Sequence, residues 1–307
     1  MRTRVVRCSA PRRPVGRVLA LLVLGLALAA AAGPAPAQPA RLAEHVLLVT
    51  LDGARPDGLR GAGIDALLQE AAASMHAQTT VPPLTASAHM SMVSGVGPDR
   101  HGVRENDWRP GMPYPRVPTI FSAAKQAGLR AALFTQKGYV RVIADPQYLD
   151  RVGLVRWRPA TLTADLVEAT AAYVRAARPH LTLAHISEPD VVGHAEGWMS
   201  FAYLQALRRG VAAVGALRQA YRDAGLDGRT VVIVTADHGG IERDHRVVVP
   251  EVMTVPWIMM GPGVKRGVAL ERRIAVYDTA PTILAVLGVP VPPGWVGTVV
   301  EEAFEGR

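Results

Sequence analysis

His45-Val-Leu-Leu-Val-Thr-Leu-Asp-Gly53 is the stretch on which the fold turns. It is a nearly unbroken aliphatic run, as expected of a strand buried on both faces of a parallel sheet, and Asp52 closes it. Similar short runs recur at 131–134, 181–186, 230–235 and 255–260. Helical patterns lie between them. Pro118 to Leu129 reads as a helix with Pro in its first turn and Gly128 near its stop. Thr163 reads as the cap of a helix running to about Ala177, and Ser200 as the cap of a longer one ended by Gly225. Asp278 reads as the cap of a last short helix closed by Gly288 and Pro290. Thr85 reads as the N-cap of a short helix over 86–93, stopped by Gly95. Strands alternating with helices predict an α/β fold, a sandwich of helices around one mostly parallel sheet.

The chain has 307 residues, and its first 37 read differently from the rest. Six arginines without an acid precede an apolar stretch at Val18–Ala32, and Ala35-Pro36-Ala37 offers a small-residue cleavage site. This is the pattern of a secretory signal peptide, so residues 1–37 are expected to be removed and the protein to be periplasmic or secreted. An uncleaved membrane anchor is the alternative; once the signal is cleaved, no stable membrane span is expected. N-terminal sequencing of protein from the producing cell should begin near Gln38, whereas a start at Met1 in the membrane fraction would establish the anchor. Residues 38–44 read as a linker and 45–307 as a single catalytic domain.

The signal also explains the charge. The whole chain carries 34 Lys+Arg against 26 Asp+Glu, but without residues 1–37 the count is 28 against 26. With no basic run left and only sixteen aromatic residues, a nucleic-acid-binding module is not expected. Cys8, the single cysteine, lies inside the signal. The remainder has no disulfide, no thiolate nucleophile and no cysteine-ligated metal.

Acidic and imidazole side chains cluster where strands end. Asp52 closes the first run; Asp190 and His194 lie in SEPDVVGH, Asp237 and His238 in TADHGG, and His245 seven residues later. In open α/β sheets ligands bind outside the carboxyl ends of strands, so these segments are expected to converge. Buried acids need partners, and no Lys or Arg cluster lies nearby in sequence, so divalent cations are the natural partners. Two sets of ligands point to a two-metal hydrolase. Zinc suits imidazole better than magnesium does. Thr85, at a helix start, sits in a field that favours both alkoxide and phosphate. Lys137 follows the run at 131–134 and reads either as a phosphate contact or as a solvated lysine beside Gly138.

These segments resemble the alkaline phosphatase superfamily, most closely its type I phosphodiesterase/nucleotide pyrophosphatase branch. LLVTLDGARPDGL resembles the family's first strand, and TASAHMSMVSGVGPDRHGV its nucleophile segment, with the nucleophile four residues before a His. EPDVVGH and TADHGG resemble its two metal motifs, and DHRVVVPEVMTVPW the segment carrying a further His. The resemblance implies a three-layer α/β/α sandwich with little or no cap, and two metal ions, expected to be Zn2+. One would be held by Asp190, His194 and His245, the other by Asp52, Thr85, Asp237 and His238. Thr85 is the implied nucleophile, with Asn106, 21 residues on, donating to the phosphoryl oxygens. His101 resembles the motif's loop-fixing histidine. Ser87 stands where the family usually has Pro, and Arg246 where Gly is common after the histidine.

The expected substrate is a small phosphate ester. A phosphodiesterase or nucleotide pyrophosphatase with a phospho-threonine intermediate is the first reading. A phosphomonoesterase is the second, and the sequence offers no obvious third cation of the kind that dianionic monoesters favour. A sulfatase would need a C/S-x-P-x-R segment, which is missing. A non-catalytic exported metal- or phosphate-binding protein is the reading of another class.

Overall fold

The run that opens the argument is a strand, β1 (His45–Leu51), and every residue of it is buried. Full burial of Leu47, Leu48 and Leu51 contributes roughly 1.5–3 kcal/mol each, which is why this segment can sit at the centre of a sheet. The computed structural model describes residues 41–306 except 157 and 159–161. The expected signal peptide lies outside the described residues. Arg41–Glu44 lead into β1, with Leu42 and Ala43 donating to the Val286 carbonyl.

In chain order there follow α1 (Pro56–Arg60), α2 (Asp65–Leu68), β2 (Ala72–Gln78), α3 (Thr85–Ser94), α4 (Pro98–His101), α5 (Ile120–Gln126) and β3 (Ala131–Thr135). A 3-10 turn at Gly138–Ile143 leads to β4 (Arg151–Leu154), α6 (Leu162–Ala177), β5 (Leu181–Ile186), α7 (Glu188–Glu196) and α8 (Phe201–Asp223). The chain closes with β6 (Thr230–Thr235), α9 (Pro250–Met253), β7 (Thr254–Met260), β8 (Val268–Ala269) and α10 (Thr279–Leu287).

The strands form one eight-stranded sheet in the order β4-β3-β5-β1-β6-β7-β2-β8. β7 alone runs against the others, pairing antiparallel with both β6 and β2. The expected mostly parallel sheet is therefore present. The strand at 255–260 is reversed, so the site lies at its amino end. β2, β4 and β8 were not anticipated; β2 reads Ala-Ala-Ser-Met-His-Ala-Gln and carries no β-branched or aromatic residue.

Ser200 caps α8 as expected, accepting from Tyr203 N at 3.2 Å, and Asp278 stands at the N-cap of α10. The other caps differ from expectation by a residue or so. Thr119, rather than a proline-led turn at 118, caps α5 in a reciprocal bond with Ser122. Thr163 lies inside α6, where its hydroxyl donates to Glu188. Thr85 is the first helical residue of α3, and Leu84 occupies the cap without a side-chain bond. The Thr85 hydroxyl is thus not spent on capping its own helix, which leaves it for the site.

Candidate metal centre

Four adjacent parallel strands, β3-β5-β1-β6, each deliver charged groups just past their carboxyl ends. Lys137 comes two residues after β3, Asp190 four after β5, Asp52 one after β1, and Asp237-His238 two and three after β6. Asp190 enters from the first turn of α7, whose Pro189 is a favourable early-helix residue. His194 lies one turn further along α7. His245 arrives from the loop before α9, in a tight turn where Asp244 accepts from its N–H at 2.8 Å.

The turn after Asp52 requires glycine. Gly53 has φ +69°, and a Cβ there would sit 3.1 Å from Asp190 Cα and Cβ. Its N–H donates to Asp237 Oδ1 at 3.1 Å, and its carbonyl accepts from Trp198 Nε1 and Tyr203 Oη. Gly53 thereby ties the Asp52 segment to Asp237 and to Trp198 and Tyr203.

Three histidines share one pattern. Nδ1 of His194 lies 2.8 Å from the Arg243 carbonyl, Nδ1 of His238 2.8 Å from Gly239 O, and Nδ1 of His245 2.9 Å from Pro83 O. A ring nitrogen facing a carbonyl must carry the proton, so each Nε2 presents a lone pair, as metal-ligating histidines do. Burial lowers His238 against the opposing pull of Asp52 and Asp190, burial and then His238 take His245 down to about 4, and the bond to Asp190 raises the more exposed His194.

The carboxylates point the same way. Asp52 Oδ1, Asp190 Oδ1 and Asp237 Oδ2 are buried without a hydrogen-bond partner. Each is the oxygen nearest the histidine lone pairs. Asp190 Oδ1 lies 3.4 Å from His194 Nε2 and 3.7 Å from His245 Nε2. His238 Nε2 lies 3.5 Å from Asp52 Oδ1, 3.4 Å from Asp237 Oδ2 and 3.3 Å from Thr85 Oγ1. Ligands about 2.0–2.1 Å from a tetrahedral zinc are about 3.3–3.4 Å apart; the contacts of His238 Nε2 are near that edge length, and the 3.7 Å from Asp190 Oδ1 to His245 Nε2 exceeds it. Asp190, His194 and His245 form one group able to hold a metal, and Asp52, Asp190 and His238 another. Asp190 therefore stands between the two. Burial first, and then Asp52 and Asp190, push Asp237 well above the usual carboxylate range. A divalent cation is the charge that would reverse this.

Sequence reasoning missed two neighbours, His185 and Tyr139, and left the role of a third, Lys137, open. Lys137 is not a solvated lysine: its side chain is 9 % exposed, and Nζ lies 2.5 Å from Oδ2 of both Asp52 and Asp190. Burial alone would push its pKa down, but Asp52 and Asp190 outweigh burial and raise it well above the ordinary value. Asp52 is correspondingly held well below its usual range, since Lys137 and His185 overcome the cost of burial. His185, on β5, bonds Asp52 Oδ2 through Nε2 at 2.8 Å and Thr135 Oγ1 through Nδ1 at 2.8 Å. Tyr139 is hydrogen-bonded to the Thr85 side chain, and burial raises its hydroxyl to about 12. Only the position after a strand end could have flagged Lys137. Nothing local marks His185, which sits inside an apolar run.

Asn106 reaches the start of α3, where its Oδ1 accepts from Ala86 N at 2.8 Å. That bond fixes the amide orientation and leaves the NH2 group to donate. His89 bonds Thr50 Oγ1 and the Thr85 carbonyl, tying the first turn of α3 to β1. His101 accepts from Val103 N and pairs with Ser91, the loop-fixing place expected of it. The His194 side chain is 42 % exposed, so the first cage opens to solvent.

Residues 46–260 match the family described as type I phosphodiesterase / nucleotide pyrophosphatase. The chain belongs to that family. Among curated relatives, arylsulfatase K of Danio rerio is 37 % identical over 89 residues, 27 % of this chain and 17 % of that protein. A 2,3-bisphosphoglycerate-independent phosphoglycerate mutase of Thermomicrobium roseum is 29 % identical over 152 residues, 46 % of this chain and 27 % of the relative. The chain thus spans about a quarter or less of these relatives' length. Among solved structures, human ectonucleotide pyrophosphatase/phosphodiesterase 5 superposes with a TM-score of 0.70 at 14 % identity, covering 85 % of this chain and 100 % of that one. Its murine counterpart, solved in complex with AMP, gives 0.67 at 14 % identity over 81 % of this chain and 96 % of that one. A 2-O GAG sulfatase gives 0.69 at 16 % identity over 88 % and 75 %. These likenesses show the alkaline phosphatase-like fold, and the family places the chain among metal-dependent hydrolases.

Proposed function

We propose that the protein is an exported two-metal hydrolase of phosphoric esters that works through a phospho-threonine intermediate on Thr85. The observation that carries this reading is the gathering of three partnerless carboxylate oxygens with the Nε2 atoms of His194, His238 and His245, of which His238 Nε2 lies 3.3 Å from the Thr85 hydroxyl. Asp190, His194 and His245 would hold one ion; Asp52, Asp237 and His238, with Thr85, the other. Two divalent ions would supply positive charge to the attacking and leaving oxygens. Zinc fits this mixed imidazole and carboxylate set.

The chain's own groups account for the rest. Thr85 Oγ1, its proton passed to solvent, forms a bond to phosphorus while the ester P–O bond breaks and the leaving oxygen departs with the electron pair. A water then attacks phosphorus and gives a proton to solvent; the P–Oγ1 bond breaks with its electron pair returning to Thr85, which takes a proton from solvent as the phosphoryl product leaves. Asn106, oriented by Ala86 N, donates to the nonbridging oxygens as charge gathers on them. Asn106→Ala should lower kcat/KM by roughly 10²–10³, measured on a p-nitrophenyl ester, with metal content unchanged.

The family match supports a diester or pyrophosphate substrate. A monoester substrate is favoured by one observation, the buried Lys137 cation. Sulfate-ester hydrolysis, suggested by the arylsulfatase K likeness, is less well supported, because Thr85 and His89 stand where a sulfatase needs Cys or Ser and Arg. Activity of the purified, zinc-loaded protein toward p-nitrophenyl phosphate, its bis-ester and p-nitrophenyl sulfate tests the proposal. Turnover of the sulfate alone would overturn it.

A further inference from the structure

A cleft of about 620 Å³ opens where β2 ends, walled by residues 78–81, Gly97-Pro98, the turn at 272–278 before α10, and residues 296–298. Its volume falls within the range of about 300–1,000 Å³ usual for small-molecule sites. β2 lies two strands beyond β6 in the sheet, so the cleft begins about 10 Å across from the strand that delivers Asp237. No residue assigned above to the candidate metal centre lines it. Backbone contacts hold its walls together. Gln78 N donates to Ile274 O at 2.8 Å, and Val296 N and Gly297 N both donate to Gly95 O at 2.9 Å. Gly297 packs on the Tyr277 carbonyl with no room for a Cβ.

The polar groups of the cleft are unevenly engaged. Its one lining carboxylate, Asp278, has both oxygens occupied: Oδ2 accepts from Arg272 Nη2 at 2.8 Å and from Ala275 N at 3.1 Å, and Oδ1 from Thr298 N at 2.8 Å. Arg272 is held as well, donating to Val299 O at 3.0 Å and to Thr298 Oγ1 at 2.9 Å. Three further donors line the same cleft and have no protein partner among the described residues. They are the guanidinium of the exposed Arg273, the hydroxyl of the half-buried Tyr277, and Oγ1 of Thr80, a residue only 5 % exposed.

This imbalance defines what fits. A guanidinium only donates, and a buried hydroxyl without a partner is rare in native proteins. Asp278 balances Arg272, so the charge of Arg273 is left over, and the cleft presents surplus donors together with surplus positive charge. An acceptor-only, negatively charged group complements both, and a planar guanidinium can grip either a carboxylate or a phosphate through two bonds. We infer that this cleft is a second binding site, separate from the metal centre, for a small organic anion whose carboxylate or phosphate accepts from Arg273, Tyr277 and Thr80. The site borders the catalytic segment: Thr79, beside Thr80, donates its hydroxyl to the Asp237 carbonyl, and the chain reaches Thr85 five residues after Thr80.

Isothermal titration calorimetry of the purified protein tests this, with inorganic phosphate and glutarate as probes, on the wild type, Arg273→Ala and Tyr277→Phe. Neither substitution removes a bond within the protein, so both variants should melt as the wild type does. At least one probe should bind the wild type, with affinity falling roughly 10-fold or more in Arg273→Ala and less steeply in Tyr277→Phe, as expected when a hydrogen bond to a charged group is lost. The probe that loses affinity identifies the group, phosphate or carboxylate. Phosphate taken up at the metal centre would be the same in all three proteins and is separated by that test. Binding of both probes unchanged by Arg273→Ala, or binding of neither by the wild type, would overturn the inference. No turnover is measured, so such a failure would leave the hydrolase reading standing.

Discussion

Thr85→Ala is expected to lower kcat/KM by roughly 10⁴-fold or more while the protein keeps its fold and its metal. Thr85 is the first residue of α3 and caps nothing, so an alanine there removes no helix bond and suits the helix at least as well. Three of the proposed protein ligands would remain in each cage after the substitution. What disappears is the Oγ1 atom 3.3 Å from His238 Nε2. Other hydroxyls lie near, but Ser91 pairs with His101, and it is Thr85 Oγ1 that lies against His238. Steady-state kinetics with metal analysis on the same sample checks the expectation. Near-normal turnover by Thr85→Ala would mean that water attacks phosphorus directly and that no phospho-threonine forms.

Metal removal should have an effect of comparable size on activity and a second effect on stability. Chelation is expected to reduce activity to background and to lower the melting temperature on the order of 10 °C, restored by zinc and not by magnesium. The sign follows from the carboxylates. Asp52, Asp190 and Asp237 are buried together, and Lys137 supplies one positive charge for three acids. An ion that binds only the folded state adds to stability, by about 4 kcal/mol when present at a thousand times its dissociation constant. Thermal denaturation before and after chelation measures this. An unchanged melting temperature would mean that the acids carry their charge by other means.

Much of this arrangement was legible in the sequence because burial writes itself locally. The run at His45–Leu51 could only be a central strand, and an Asp at its end had to find a partner. The same reasoning located Asp190, Asp237 and the histidines, and the structure gathers all of them. What escaped was set by distant contacts. The reversed strand β7 has the same apolar composition as its parallel neighbours, so its direction is fixed only by the chain's route from β6. β2 is held by β7 and β8 rather than by its own alanine-rich sequence. Lys137 and its partners Asp52 and Asp190 follow three different strands, β3, β1 and β5, so their pairing could not be read from neighbours in sequence. His185 hid inside an apolar run because its polar partners, Thr135 and Asp52, come from the flanking strands β3 and β1.

The most direct test of the two-metal centre is anomalous diffraction from crystals of the zinc-loaded protein, collected at the zinc edge. The account predicts two peaks per chain about 4 Å apart. One should be bounded by Asp190, His194 and His245, the other by Asp52, Asp237, His238 and Thr85. A single peak per chain, or peaks lying away from these residues, would contradict it.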